Sequence, residues 1–99
     1  MALPIEFDEN QLAAFCRRNE IRRLSVFGSA LRDDFGPDSD VDILVEFADD
    51  AVVTLLDMSR MEIELSEMLG RQVDLRTPQE LSRYFRDQVL ATAVVQYAA

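Results

Sequence analysis

The sequence predicts an α/β domain, a small mixed β-sheet with helices packed on one face. Three observations carry that prediction. Short apolar strands, at Arg22 to Phe27, Asp40 to Phe47 and Arg71 to Arg76, alternate with stretches whose apolar residues recur at three- and four-residue steps, as in helices laid on a sheet. The connections are short and marked by Gly, Pro, Asp and Ser. The chain has 99 residues, 48% of them apolar, enough for one core and no second, so residues 1–99 form a single domain.

Taken in order, Asp8 is placed to cap a first helix over Glu9 to Arg18. Its Leu12, Phe15 and Cys16 share one side, and Arg17 and Arg18 sit at its dipole-negative end. Asn19 is expected to end it in a left-handed conformation. After the first strand, Gly28 and Ser29 turn the chain into a short helix expected to stop by Asp34, because Phe35-Gly36-Pro37-Asp38-Ser39 is dense in turn formers. The second strand follows. The longest helix is expected over Val52 to Leu69, with Leu55, Met58, Met61, Leu65, Met68 and Leu69 as its core stripe and Asp57, Glu62, Glu64 and Glu67 outward. Gly70 lies just past its end. The third strand, RQVDLR, turns Val73 and Leu75 to the apolar side and Asp74 to the other. Thr77 and Pro78 then open a helix as cap and first residue, with Glu80 near the capping-box position. A last helical segment over Arg83 to Ala91 leads to Val94-Val95-Gln96-Tyr97, which reads either as a terminal edge strand or as a frayed end.

The formal charge is −9, which repels nucleic acid and anionic membrane and excludes direct polynucleotide binding by this chain alone. All ten cationic side chains are Arg, suited to bidentate contacts with phosphate or carboxylate. Cys16 is the single cysteine and reads as a small buried hydrophobe, which fits a reducing compartment. The N-terminal MALPIEFDEN lacks a basic flank and an apolar core, and no apolar run approaches a membrane span, so a cytoplasmic location is expected.

The chemistry concentrates between Gly28 and Asp42. Asp40 and Asp42 are two apart at the head of a strand, so their carboxylates point to one side while Val41, Ile43 and Val45 point to the other. Two such anions ~4 Å apart repel by about 1 kcal/mol in water and about 4 kcal/mol at an effective dielectric near 20, which calls for a divalent cation between them. Gly28 permits a tight turn and close approach of a ligand, and Ser29 adds a hydroxyl, the makings of a phosphate cradle. A calcium loop is excluded, since Ile43 stands where an EF-hand needs Gly. A Walker A loop is excluded too, since no G-K-[ST] follows Gly28. Asp74 on the third strand is either a third metal ligand or an ordinary solvent-facing residue; spacing does not decide between them. Tyr84 and Tyr97 could be modified or could simply pack.

The stretch GSALRDDFGPDSDVD resembles the G-S-x10-D-x-D signature of the DNA polymerase β-like nucleotidyltransferases, and the chain resembles their minimal, MntA-type antitoxin branch over nearly its whole length. The resemblance implies ATP as substrate, two Mg²⁺ ions, and transfer of AMP to a hydroxyl. Gly28 and Ser29 would hold the β- and γ-phosphates, and Arg32, matching the branch's G-S-x-x-R variant, would assist. Asp40 and Asp42 would ligate both metals, and Asp74 would complete the one nearest the attacking hydroxyl. The implied acceptor is a tyrosine of a HEPN-type toxin ribonuclease, with which the chain would form a hetero-oligomer. Two alternatives stay open: a non-catalytic module that inhibits a toxin by complex formation, and a nucleotidyltransferase acting on a small molecule.

Overall fold

A computed structural model describes residues 5–31, 36 and 38–99, Ser29 by its backbone alone. The first helix, α1 (Glu9–Arg18), starts where its cap predicts, with Asp8 Oδ1 accepting the Gln11 N–H at 3.0 Å. Asn19 does not take the left-handed conformation expected of it; Glu20 does, at φ 57°. The Asn19 amide and backbone N–H both donate to Phe15 O, which holds Asn19 in the last helical turn and moves the reversal one residue on.

Strand β1 (Ile21–Phe27) runs into a single 3₁₀ turn, Gly28–Leu31. The expected stop of that helix at Asp34 lies outside the described residues. Strand β2 (Val41–Phe47) leads to α2 (Leu55–Leu69), three residues shorter at its start than the periodicity suggests. A capping box sets that start: Thr54 Oγ1 accepts the Asp57 N–H at 3.1 Å, and Asp57 Oδ2 accepts the Thr54 N–H at 3.0 Å. These bonds from Thr54 hold the Asp57 carboxyl below its usual range. The first turn overhangs the core, so Leu55 is 87% exposed and leaves the stripe, whereas Met61 and Leu65 are buried. Gly70 closes the helix at φ 67°, as expected.

Strand β3 (Val73–Arg76) begins two residues later than read, because Arg71 is drawn to the turn before β2. Beyond Thr77, Pro78–Glu80 make one 3₁₀ turn and no longer helix. The Arg86 side chain donates to the carbonyls of Pro78, Gln79 and Leu81 at 2.7, 3.3 and 3.0 Å, taking acceptors that a continuing helix would need. The last helix is therefore α3 (Arg86–Thr92), and the tail forms an edge strand, β4 (Val94–Ala98).

The strand order is β3-β2-β1-β4, with β2 and β3 parallel and the other pairs antiparallel, a mixed sheet as the sequence predicts. Phe15 and Cys16 of α1 and Met61 and Leu65 of α2 share one core with Leu24, Val26, Val41, Ile43, Val45, Val73 and Leu75. By strand alternation Ser25, Phe27, Asp42, Leu44 and Asp74 belong to the opposite face, where Ser25 and Leu44 are also buried. No helix among the described residues is long and apolar enough to cross a membrane.

Burial pushes the Cys16 thiol up to about 12, against a smaller opposing pull from Arg17. Its folded pKa lies above the unfolded one, so from about pH 9 upward the unfolded chain loses a proton that the folded chain keeps. Stability should fall over that range by up to about 1.4 kcal/mol per pH unit from this group, and Cys16→Ala should remove that component of the slope in denaturation curves. At pH 8 the thiol of the native chain should resist iodoacetamide and react once the chain is unfolded.

Candidate active site

The site begins where β1 ends. Phe27 is the cross-strand partner of Asp42, and Gly28 leaves the strand at φ 73°, a conformation that strains any residue bearing a side chain. Space makes the same demand. A Cβ on Gly28 would overlap Asp42 Oδ2 and stand 3.1 Å from its Cγ, so the carboxylate occupies the room that the glycine leaves. On its other side Asp42 is the parallel register partner of Asp74, which places the two acids on neighbouring strands and on one face. Asp40 stands exposed, one residue ahead of β2. Ser29 lies in the backbone turn after Gly28, and Arg32, like Asp33 and Asp34, falls outside the described residues.

Asp74 is engaged with a cation of its own strand: Arg76 Nε is 3.2 Å from Oδ1 and Arg76 Nη2 donates to Oδ2 at 3.3 Å. Arg76 also lies 3.8 Å from Glu80, so it has a second anion at hand. Among the described residues no three Asp, Glu, Cys or His side chains stand close enough to hold a metal ion together. The donor set nonetheless suits a hard divalent cation, being all carboxylate oxygen.

Sequence reasoning missed what aims these acids. Arg71, read as a strand residue, donates through Nη2 to Gly36 O and, at 3.2 Å, to Ser39 O. That turn is closed on itself, with the Gly36 N–H donating to Ser39 Oγ at 3.0 Å and the Ser39 N–H to Gly36 O at 3.1 Å. The approach to Asp40 is thereby tied to the start of β3. Glu62, expected to face outward, accepts the Leu75 N–H at 2.8 Å, and Ser66 Oγ accepts the Val73 N–H at 3.0 Å. Both backbone donors flanking Asp74 on this edge strand are thus satisfied by α2, which fixes the strand without covering its acid. The only signal in sequence is the i, i+4 spacing of Glu62 and Ser66, and it does not point to a strand edge.

A family model described as a nucleotidyltransferase domain matches residues 9–95, a span that holds Gly28, Asp42 and Asp74 in the arrangement just given. The chain belongs to the nucleotidyltransferase domain family. A Methanocaldococcus jannaschii protein provisionally named a protein adenylyltransferase is 39% identical over 77 residues, 78% of this chain and 81% of that protein. The protein adenylyltransferase MntA of Thermococcus cleftensis is 38% identical over 74 residues, 75% of this chain and 73% of the other. A minimal nucleotidyltransferase of known structure, also provisionally named, superposes with a TM-score of 0.71 at 36% identity, covering 87% of this chain and 86% of that one. A chain from the complex of a tri-AMPylated Shewanella oneidensis HEPN toxin with its MNT antitoxin shares the fold, with a TM-score of 0.65 at 24% identity over 92% of this chain and 70% of that one. The expected nucleotidyltransferase core is thus the fold observed.

The contact between Gly28 and Asp42 can be read by a double-mutant cycle. Gly28→Ala should cost about 1–2 kcal/mol through its left-handed backbone and more through collision with the carboxylate. In an Asp42→Ala background the collision disappears and only the backbone cost should remain, so the two changes should couple by about 0.5–3 kcal/mol in denaturant titrations. Strict additivity would mean that the glycine makes no room for the acid.

Proposed function

We infer that the chain is a Mg²⁺-dependent protein adenylyltransferase that transfers AMP from ATP to a tyrosine of a HEPN-type toxin, and so acts as an antitoxin. The observation that carries the reading is the Gly28 backbone set against the Asp42 carboxylate, with Asp74 in register on the next strand. This joins a phosphate-binding turn to an acid pair, and phosphoryl-group transfer needs little more than positioning and charge neutralisation. Membership of the nucleotidyltransferase family supports the reaction class. The names of the M. jannaschii and T. cleftensis relatives support a protein as acceptor, and the AMP groups on the S. oneidensis toxin support a HEPN partner.

In this reading the backbone of Gly28 and Ser29 binds the β- and γ-phosphates, with Arg32 as an added cation. Asp40, Asp42 and Asp74 would hold two Mg²⁺, which when bound neutralise the triphosphate and polarise the α-phosphoryl oxygens. Asp74 turns from Arg76 to do so, and Arg76 keeps Glu80 as its partner. The tyrosine oxygen attacks the α-phosphorus. The new O–P bond forms as the bond to the bridging oxygen breaks, pyrophosphate departs on the Gly28 side, and the hydroxyl proton passes to Asp74. The −9 charge suits a partner whose own surface is basic because it acts on RNA.

Asp40→Asn combined with Asp42→Asn keeps the shape of the strand head and removes two charges, so the fold should survive. AMP transfer should fall at least ~10³-fold, and the co-expressed toxin should stay toxic and lack the mass of an AMP group. A double variant that protects the cell as well as the wild type would mean that the chain inhibits by covering its partner, and the catalytic reading would be abandoned.

A further inference from the structure

Two residues beyond Asp74, on the same face of β3, stands a cation that already holds it. Arg76 spans the carboxylate with one guanidinium, its Nε 3.2 Å from Oδ1 and its Nη2 donating to Oδ2 at 3.3 Å, while its Nη1 lies 3.8 Å from Glu80 Oε2. We propose that Arg76 is a positioning residue that competes with a divalent cation for Asp74 and passes to Glu80 when the cation binds. The proposal rests on the two-metal reading of this site and adds to it what holds Asp74 beforehand and where that group goes.

The competition follows from geometry and charge. A small divalent cation ligated at about 2.0–2.1 Å needs a lone pair of the Asp74 carboxylate and brings two positive charges to it. A guanidinium bonded to both oxygens occupies those acceptors and repels the newcomer. Arginine keeps its charge throughout the working pH range, so the conflict is relieved by moving the side chain and not by losing its proton. The pair is open to solvent, Arg76 being 47% and Asp74 39% exposed, and is therefore weak enough for a divalent cation to displace. In the empty site the same pair offsets part of the repulsion between Asp74 and its register partner Asp42.

Glu80 is set to receive the cation. Its Oε1 accepts the Thr77 N–H and the Thr77 hydroxyl, each at 3.1 Å, which fixes the carboxylate and leaves Oε2 to Arg76. The turn that carries Glu80 is itself pinned by the three carbonyl contacts of Arg86. Passing from one anion to the other therefore needs only a rotamer change of one half-exposed side chain, with the backbone unmoved. Were Arg76 and Glu80 no more than surface charges, each would act on a bound cation independently of the other. An exchange makes the effect of Glu80 depend on the presence of Arg76.

The test titrates Mn²⁺ into the full chain without nucleotide, read by electron paramagnetic resonance. Arg76→Ala should bind Mn²⁺ about three- to fivefold more tightly than wild type. Glu80→Gln, which keeps the acceptor for Thr77 and removes the charge, should bind it roughly twofold more weakly, and in an Arg76→Ala background the same change should have no effect. In the wild-type chain the Arg76 Nε–H NMR signal should move as Mg²⁺ is added, and this measurement decides the matter if Arg76→Ala fails to fold. Wild-type and Arg76→Ala chains that bind Mn²⁺ alike, or not at all, would overturn the exchange. So would strictly additive effects of the two substitutions, or an Arg76 signal that Mg²⁺ leaves in place. An ATP affinity equal with and without Mg²⁺ would defeat the two-metal reading itself, whereas a metal-dependent ATP affinity with equal Mn²⁺ binding by wild type and Arg76→Ala defeats only the exchange.

Discussion

The close approach of the Gly28 backbone to the Asp42 carboxylate is the constraint on which the site depends. It requires β1 to end at Phe27, opposite Asp42, and it requires the next residue to lack a Cβ and to accept a positive φ. A strand pairing slipped by one residue would turn Asp42 into the apolar core and Ile43 out of it, so the same alternation that builds the core also presents the acid. Core and site are therefore two sides of one strand register.

The acids are held by groups that are not themselves in the site. Arg71 ties the Gly36–Ser39 turn to the start of β3, and the Val41 N–H bonds to Gln72 O at 2.9 Å, so the entry to β2 and the entry to β3 are fixed together. Glu62 and Ser66 of α2 satisfy the outer edge of β3. An edge strand with unpaired donors invites pairing with another chain, and these two side chains remove that tendency while leaving Asp74 on the open face. The surface ion pair Arg18–Glu64, which joins α1 to α2, is exposed and adds little to stability by comparison.

How much of this was legible in the sequence follows from the range of the interactions involved. The caps at Asp8 and Gly70, the apolar faces of β1, β2 and β3, and the pairing of Asp40 with Asp42 ahead of an apolar strand are set within a few residues, and reading them needs only local periodicity. The G-S-x10-D-x-D spacing also sufficed to identify the family. Several local signals misled where a neighbour competed for the same groups. Asn19 stayed helical because Phe15 O accepted its amide, α2 began at the Thr54–Asp57 box, and Arg86 captured the carbonyls that would have prolonged the turn after Pro78.

What only the tertiary structure decided is which distant groups meet. The parallel pairing of β2 with β3 puts Asp74 beside Asp42 across 32 positions of sequence, the Arg71 guanidinium reaches a turn more than thirty residues back, and the β4 edge strand and α3 bring Phe85 and Gln88 to the end of β1. Each arises because the chain must cover one apolar sheet with few helices, and the strand order that achieves this is settled by the total burial it allows rather than by any local preference.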